Sequence, residues 1–404
     1  MIVKIQKSIA NGTIIAPPSK SMAHRMLICA SLAEGKSIVH GISNCVDVSA
    51  TLDCAKSLGI SAEVNGQDVT VFGKNIINRA PVGELYCHES GSTLRFLIPV
   101  ALLTGKTVMF RGAKSLMQRP MDVYAKLCKE RGFDFIADGE TITVKGPLTS
   151  GEYSVVGNVS SQFISGLLFA LPILSGDSRI KITPPIESRS YIEMTREAQK
   201  LFGIKTYWED EHTLYIPGGQ KYQSAEVTVE GDYSGAAFPD ALNLFGSNVT
   251  VEGLNPDTIQ GDAVYKKYFD MLSQGVPTIH IGNCPDLGPI LFAVAAAKNG
   301  GVFSGTKRLK IKESDRAQAM AAELKKFGTS VTVCEDKVVV YPAAFHAPTE
   351  PLNSHNDHRI AMSLAVLLTM TGGEIHGAEA VSKSYPAFFE HLTSLGVEVN
   401  TYEG

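Results

Sequence analysis

The sequence has no apolar segment long enough to cross a membrane and no excess of positive charge. Its longest apolar stretches, at 96–103, 290–297 and 360–370, are shorter than the roughly 18 residues that a membrane helix needs. The formal net charge of -4 argues against nucleic acid as the main partner. The opening MIVKIQKSIA lacks the apolar run of a signal peptide, so we expect a cytoplasmic protein with neither a membrane nor a nucleic-acid partner.

Motifs for metals, cofactors and common nucleophiles are also missing. The seven cysteines form no CxxC pair, which is typical of reduced structural thiols. His355 and His358 are spaced for a metal but have no obvious set of partner ligands, so we expect neither a metal nor a cofactor. The segment 104–107 resembles the end of a P-loop, yet Val100 stands where that motif needs glycine. No GxGxxG or GxSxG occurs, so a dinucleotide site and a serine hydrolase are unsupported.

What the sequence does have is a sixfold repeat. Glycines end six apolar helical patterns, and their successive spacings are 70, 71, 70, 54 and 72 residues: Gly35, Gly105, Gly176, Gly246, Gly300 and Gly372. A second series keeps the same rhythm and shortens at the same step: Gly59, Gly132, Gly203, Gly275, Gly328 and Gly396. Two independent markers with one period indicate six copies of one structural unit.

The first copy, residues 19–73, shows what each unit contains. A largely apolar helical pattern runs to Gly35, and an alternating strand pattern, KSIVHGI, follows it. Residues 47–58 predict an amphipathic surface helix, and Asn65-Gly66 predicts a hairpin between ISAEV and DVTVF. The chain is therefore predicted to be an α/β protein built from helix-strand-helix-hairpin units.

The repeats suggest two similar domains of three units each. Residues 19–229 would form one domain, and residues 232–404 with 1–15 would form the other. The fourth unit has lost part of its hairpin, and MIVKIQ would supply the missing partner of the last strand, VEVNTY. The chain would cross between the domains near 16–18 and 230–231, which predicts a two-strand hinge. A single large sheet protein is the alternative reading.

Polar residues cluster just before the apolar helices. A helix N-terminus carries unpaired N–H groups and about half a positive charge, so it attracts anions and disfavours cations. Lys20, Arg95 and Arg359 nevertheless lie at such starts. Further cations stand in loops: Arg119, Lys312, Arg316 and Lys383. Each alone could be a solvated surface residue, but together they predict a site for a polyanion.

Six motifs then carry a resemblance to a known family. They stand in one order along the whole chain: PPSKSMAHR, ESGSTLR, QRP, IKESDR, NDHR and KSYP. Together they resemble the 3-phosphoshikimate 1-carboxyvinyltransferase (EPSP synthase) family of enolpyruvyl transferases. The resemblance implies two hinged domains, each an inside-out α/β barrel of three units, with the active site between them. It also implies transfer of the enolpyruvyl group of phosphoenolpyruvate to the 5-hydroxyl of shikimate 3-phosphate, with release of phosphate and without a cofactor.

The resemblance also assigns roles to residues of this chain. The catalytic candidates are Lys20, Asp286, Lys312 and Glu313. Contacts with phosphoenolpyruvate are implied for Lys20, Gly91, Arg95, Arg119, Gln162, Arg316, Arg359 and Lys383. Contacts with shikimate 3-phosphate are implied for Lys20, Ser21, Arg25, Ser160, Ser161, Gln162, Ser188, Tyr191, Asp286 and Lys312. The eight cations of these motifs match a charge of about -6 on the two substrates.

Two positions depart from the family pattern, and two other functions stay open. Glu89 stands where the family often has asparagine, and Arg308 where some members have asparagine. The sister enzyme, UDP-N-acetylglucosamine 1-carboxyvinyltransferase, usually carries a cysteine in the loop before the Arg-Pro pair, whereas this loop reads AKSLMQRP. A non-catalytic anion-binding protein would have little use for Asp286 and Glu313, because carboxylates repel anions. We expect a monomer that acts on small molecules.

Overall fold

The structure is a computed structural model that describes residues 1–403 and has a mixed α/β fold. It divides into two compact units, one formed by Lys20–Glu230 and the other by Met1–Ser19 with the chain from Gly231 onward. Each unit has its own hydrophobic core.

In the Lys20–Glu230 unit, three helices have nearly all of their side chains buried, including the polar His24 and Arg25 in the first of them. They are Lys20–Leu32, Gly91–Leu102 and Ser161–Ala170, the last extended by a 3₁₀ turn at Leu171–Ile173. Three longer amphipathic helices and one short helix lie outside them: Val46–Ser57, Asp122–Arg131, Arg189–Leu201 and Lys114–Met117. The predicted order of buried and surface helices is therefore present in this unit.

The unit also contains three four-stranded sheets, and each sheet has the same strand order. The strands in spatial order are Glu226–Thr228, Gly35–His40, Asp68–Gly73 and Ser61–Asn65; then Leu85–Tyr86, Thr107–Arg111, Thr141–Lys145 and Asp134–Ala137; then Gly151–Val156, Ser178–Thr183, Thr213–Ile216 and Tyr207–Trp208. The predicted hairpin is present, with Asn65 opposite Asp68. The first strand of each sheet pairs in parallel with the second. The sequence did not predict this first strand.

The other unit repeats the plan with one loss. Its buried helices are Tyr233–Ala241, Gly288–Ala297 and His358–Thr371, and its outer helices are Tyr265–Gln274, Arg316–Lys326 and Phe388–Ser394. Short 3₁₀ turns lie at Leu242–Phe245, Gly261–Val264, Pro285–Leu287, Lys307–Ile311 and Ala378–Lys383. The 3₁₀ turn Pro285–Leu287 directly precedes the helix Gly288–Ala297, which has Pro289 in its first turn.

Two sheets of this unit have four strands and the third has two. In spatial order they are Thr278–His280, Gly301–Ser304, Lys337–Val340 and Val331–Val333; Leu352–Asn353, Gly373–His376, Ile2–Ile5 and Val399–Tyr402; and Asn248–Glu252 beside Asn11–Ile15. The two-stranded sheet belongs to the fourth repeat, so this repeat has lost part of its hairpin, as the sequence predicted. Ile2 lies opposite Tyr402, so the N-terminal strand pairs with the last strand, as the sequence predicted.

The chain leaves and re-enters this unit at neighbouring points. Pro18 and Gly231 form an isolated antiparallel bridge, and the Asp232 N–H donates to the Pro17 carbonyl over 2.7 Å. The segments around 16–18 and 230–231, predicted as the hinge, therefore run side by side at the edge of the unit.

Candidate active site

The first buried helix of the Lys20–Glu230 unit begins with a lysine that is already paired. The Nζ of Lys20 lies 2.9 Å from Oδ2 of Asp47, in the first turn of Val46–Ser57, and both side chains are largely buried. A cation in the first turn of a helix is unfavourable unless an anion lies beside it. Asp47 is that anion within the protein, and Ser21 follows Lys20 on the same turn.

One turn further on, Arg25 is almost fully buried. Its guanidinium donates to the Ser21 carbonyl over 2.6 Å, to Oγ1 of Thr195 over 2.8 Å and to the Tyr191 carbonyl over 3.0 Å. It also lies over the Phe96 ring, 5.0 Å from the ring centroid. Burial lowers the pKa of Arg25 to about 10, so the group stays charged at neutral pH. Arg25 and Tyr191 are therefore in direct contact, and both are among the residues predicted to bind shikimate 3-phosphate.

The next two buried helices bring a second set of predicted residues together around Gly91. Arg95 donates to Oε1 of Gln162 over 2.8 Å and to the Pro120 carbonyl over 3.3 Å. A Cβ on Gly91 would lie 2.9 Å from Nη1 of Arg119 and 3.5 Å from Nη1 of Arg95. Glycine therefore lets two guanidinium groups approach the start of the Gly91–Leu102 helix closely. Two buried nitrogens of Arg119, Nε and Nη2, have no hydrogen-bond partner among residues 1–403.

The serines of this unit occupy helix starts. Ser160 caps Ser161–Ala170 by accepting from the Gln162 N–H over 3.3 Å, and Ser161 is buried in the first turn. Ser188 precedes the helix that carries Tyr191 and adopts the left-handed conformation, with φ of 54°. The ring of Tyr191 lies 5.9 Å from the Arg25 guanidinium. The predicted serines thus lie at two different helix starts.

In the other unit, Asp286 is the centre of a charged cluster. Its Oδ1 lies 2.8 Å from Nη1 of Arg316 and 3.1 Å from Nζ of Lys312, and its Oδ2 lies 3.2 Å from Nη2 of Arg359. Four predicted residues from three separate segments of the chain are thereby brought together. Because the 3₁₀ turn Pro285–Leu287 holds Asp286 ahead of the helix, its carboxylate meets all three cations.

Arg316 is held by three carboxylates and is only 1% exposed. Besides Asp286, it donates to Oε2 of Glu313 over 2.7 Å and to Oδ2 of Asp357 over 2.8 Å. Asp357 also caps the His358–Thr371 helix through the Arg359 N–H. One guanidinium therefore fixes a helix cap and two candidate catalytic carboxylates.

Arg359 makes a further contact beyond Asp286, and Lys383 binds the segment that precedes Arg359. Nη1 of Arg359 donates to Oγ of Ser234, at the start of another buried helix, over 2.6 Å. The ammonium of Lys383 donates to the Asn356 carbonyl over 2.6 Å. Arg308, which departs from the family pattern, donates to the Gly282 carbonyl over 2.8 Å.

The cluster determines which of its members are charged. Burial alone would raise the pKa of Asp286, but Arg359, Lys312 and Arg316 hold that pKa well below its usual value. Burial lowers the pKa of Lys312, and Asp286 offsets only part of that effect. Asp286 is thus an anion at neutral pH, while the ammonium of Lys312 releases its proton more readily than that of an ordinary lysine.

Three contact residues were not among the predicted site residues. Asp47 pairs with Lys20, Asp357 pairs with Arg316, and Ser234 accepts from Arg359. Asp47 and Asp357 each stand at a helix start, which is the signal that could have marked them. Their partners are 27 and 41 residues away in the chain, so helix patterns alone do not predict the pairings.

Within residues 1–403, no group of three or more histidine, cysteine, aspartate or glutamate side chains is arranged to hold a metal ion. Over the same residues, no helix is long and apolar enough to cross a membrane.

Comparison with known proteins places the chain in one family. The family model described as EPSP synthase (3-phosphoshikimate 1-carboxyvinyltransferase) matches residues 4–392. The chain belongs to the EPSP synthase family. The resemblance found in the six motifs is thereby confirmed, and it extends over nearly the whole chain.

Individual relatives agree with this family. The chain is 36% identical to the 3-phosphoshikimate 1-carboxyvinyltransferase of Clostridium kluyveri, over 99% of this chain and 98% of the relative. It is 38% identical to the protein of the same name from Clostridium novyi, over 98% and 97%. A solved structure of EPSP synthase from Acinetobacter baumannii matches with a TM-score of 0.78 at 25% identity, over 99% of this chain and all of that one.

Proposed function

We propose that this protein transfers the enolpyruvyl group of phosphoenolpyruvate to the 5-hydroxyl of shikimate 3-phosphate and releases phosphate. Family membership and the sequence relatives support this activity. The observation within the chain that carries it is the pair of cation-rich clusters at buried-helix starts, one on each unit. Guanidinium groups bind phosphate and carboxylate in bidentate fashion, and both substrates carry both groups.

The division of labour follows the two clusters. We assign Arg25, Ser160, Ser161, Ser188 and Tyr191 to shikimate 3-phosphate, with Ser21 and Gln162 beside them. We assign phosphoenolpyruvate to the set of Gly91, Arg95, Arg119, Arg316, Arg359 and Lys383, and we place Lys20 at both substrates. The partnerless nitrogens of Arg119 beside Gly91 support an anion at that position, because buried guanidinium groups require acceptors.

The chemistry needs three proton transfers, two in the addition and one in the elimination. The 5-hydroxyl oxygen attacks C2 of phosphoenolpyruvate and loses its proton, while the methylene carbon C3 gains one. Phosphate then leaves and C3 returns a proton, which restores the double bond. Asp286, as a stable anion, and Lys312, with its lowered pKa, suit the hydroxyl side. Glu313 and Lys20 are assigned to the methylene proton and the leaving phosphate, and roles can reverse between addition and elimination.

The finer architecture belongs to the same proposal. Each unit would be an inside-out α/β barrel, in which the sheets lie outside and the buried helices inside. The adjacent crossings at Pro18 and Gly231 would act as a hinge that brings the two clusters to one pair of substrates. We expect a monomer working in the cytoplasm.

A phosphate-release assay with phosphoenolpyruvate tests the activity. We expect release with shikimate 3-phosphate and none with UDP-N-acetylglucosamine or without acceptor. Release only with UDP-N-acetylglucosamine would favour the sister reaction. Binding of phosphoenolpyruvate without release under every condition would indicate a non-catalytic protein.

A further inference from the structure

The helix Arg316–Lys326 carries a buried carboxylate that none of the catalytic steps uses. Glu323 lies two turns after Arg316 and is 2% exposed. A carboxylate removed from water is unfavourable unless several donors hold it, and an apolar side chain would fill such a position more cheaply. Glu323 therefore calls for an explanation within the fold.

The partners of Glu323 connect it to one short segment of the chain, residues 351–355. Oε2 of Glu323 accepts the Asn353 N–H over 3.0 Å, and Oε1 lies 2.9 Å from Nε2 of His355. The ammonium of Lys326 lies 2.9 Å from Oε2 and also donates to the Pro351 carbonyl over 2.9 Å. These contacts hold the pKa of Glu323 below its usual value although burial alone would raise it.

The segment 353–357, which Glu323 holds, has an unfavourable backbone conformation at two residues. His355 and Asn356 are consecutive residues with φ of 51° and 54°, in the left-handed region that side chains with a Cβ rarely adopt. Such a conformation persists only where the surroundings over-determine it. Glu323 fixes the side chain of His355 and the backbone of Asn353 on one side, and Lys383 binds the Asn356 carbonyl on the other.

The same segment leads directly into the charged cluster. Asp357, the next residue, caps the following helix and binds Arg316, and Arg359 reaches Asp286 and Ser234. The helix Arg316–Lys326 thus holds the segment at two points, through Arg316 at one end and Glu323 at the other.

We infer that Glu323 is a positioning residue that sets the segment 353–357 so that Lys383 and Arg359 present their charges to phosphoenolpyruvate. This inference rests on the proposed function. It gives Glu323 no contact with substrate, and it predicts an effect on one substrate rather than on both. A displacement of about 1 Å in such a group can cost on the order of a hundredfold in rate.

The test replaces Glu323 by glutamine and compares it with Glu390→Gln, which changes an exposed carboxylate on a helix of the same unit. The Michaelis constant for phosphoenolpyruvate should rise about tenfold in Glu323→Gln and that for shikimate 3-phosphate less than about twofold. Both constants should stay unchanged in Glu390→Gln. A folded Glu323→Gln with an unchanged constant for phosphoenolpyruvate overturns the inference, as does an equal rise in both constants, which indicates general destabilisation.

Two further measurements keep the outcomes separate. If Glu323→Gln does not fold, His355→Ala tests the same contact at a partly exposed residue. His355→Ala should raise the Michaelis constant for phosphoenolpyruvate, and His355→Gln, which keeps a donor, should restore the wild-type constant. Equal constants in the two variants contradict the inference.

If the wild-type protein shows no transfer, the proposed function fails. Hydrogen exchange of residues 352–359 then decides the positioning role: it should be about tenfold faster in Glu323→Gln than in Glu390→Gln, and equal rates overturn it.

Discussion

Replacing Arg316 by methionine should destabilise its unit and abolish most of the activity. The guanidinium is 1% exposed and binds Asp286, Glu313 and Asp357, so methionine leaves three carboxylates crowded together without their shared cation. Breaking a buried ion pair by removing one partner costs about 3–5 kcal/mol. A domain of this size loses about 2–4 °C of Tm per kcal/mol, so the expected fall is roughly 6–20 °C.

Thermal unfolding followed by circular dichroism measures this effect, and phosphate release measures activity. We expect kcat/KM to fall by about 30- to 5,000-fold, since truncating one member of a buried charge pair costs about 2–5 kcal/mol and each 1.36 kcal/mol is about tenfold in rate. Lys325→Met, an exposed position on the same helix, is the matched control and should change neither quantity.

A double variant tests whether the loss arises from the carboxylates left behind. Adding Asp357→Asn to Arg316→Met removes one of the unpaired charges, so the double variant should lose less stability than the sum of the two single losses. A fall in Tm below about 2 °C for Arg316→Met, or strict additivity in the double variant, would refute the reasoning.

Three further outcomes follow from the contacts. Glu313→Gln should lower kcat by about 10²–10⁴-fold while both Michaelis constants stay within about threefold, as steady-state kinetics would measure, because a proton-transfer group acts on the transition state; near-normal turnover would contradict the assignment. Arg25→Met should raise the Michaelis constant for shikimate 3-phosphate at least about tenfold and that for phosphoenolpyruvate much less, and the reverse pattern would exchange the two substrate assignments. Hydrogen bonds with Glu226 and Asp68 raise the pKa of His40. Because the folded protein then binds the proton more tightly, this stabilisation is complete below the unfolded pKa of about 6.5 and is lost as pH rises through the folded pKa. The difference in Tm between wild type and His40→Gln should therefore be larger near about pH 6 than near about pH 9, and a difference independent of pH would contradict the pairing.

The repeated units could be predicted from the sequence because their signals are local. An apolar helix is buried wherever it stands, and Asn65-Gly66 specifies a hairpin from two residues alone. Two of the strands that open a sheet escaped prediction for the opposite reason. Leu85–Tyr86 and Leu352–Asn353 have two residues each, too few to show any period, and they form only by pairing with a strand beyond the next helix.

The site was predictable as a set of residues but not as a set of contacts. The family resemblance named Asp286, Lys312, Arg316 and Arg359, and the structure joins these four in one cluster. That Asp357 would bind Arg316 depends on how the fifth and sixth repeats pack, which no local pattern encodes. The fold therefore supplies the charge balance that decides which side chains stay ionised.

Product analysis of the wild-type reaction tests the central claim most directly, that the two clusters serve two substrates of one transfer. Phosphorus NMR of a mixture of phosphoenolpyruvate and shikimate 3-phosphate should show both consumed in equal amounts, with one inorganic phosphate and one new enolpyruvyl ether phosphate formed per turnover. Phosphate released without loss of shikimate 3-phosphate, or no reaction at all from folded protein, would contradict it.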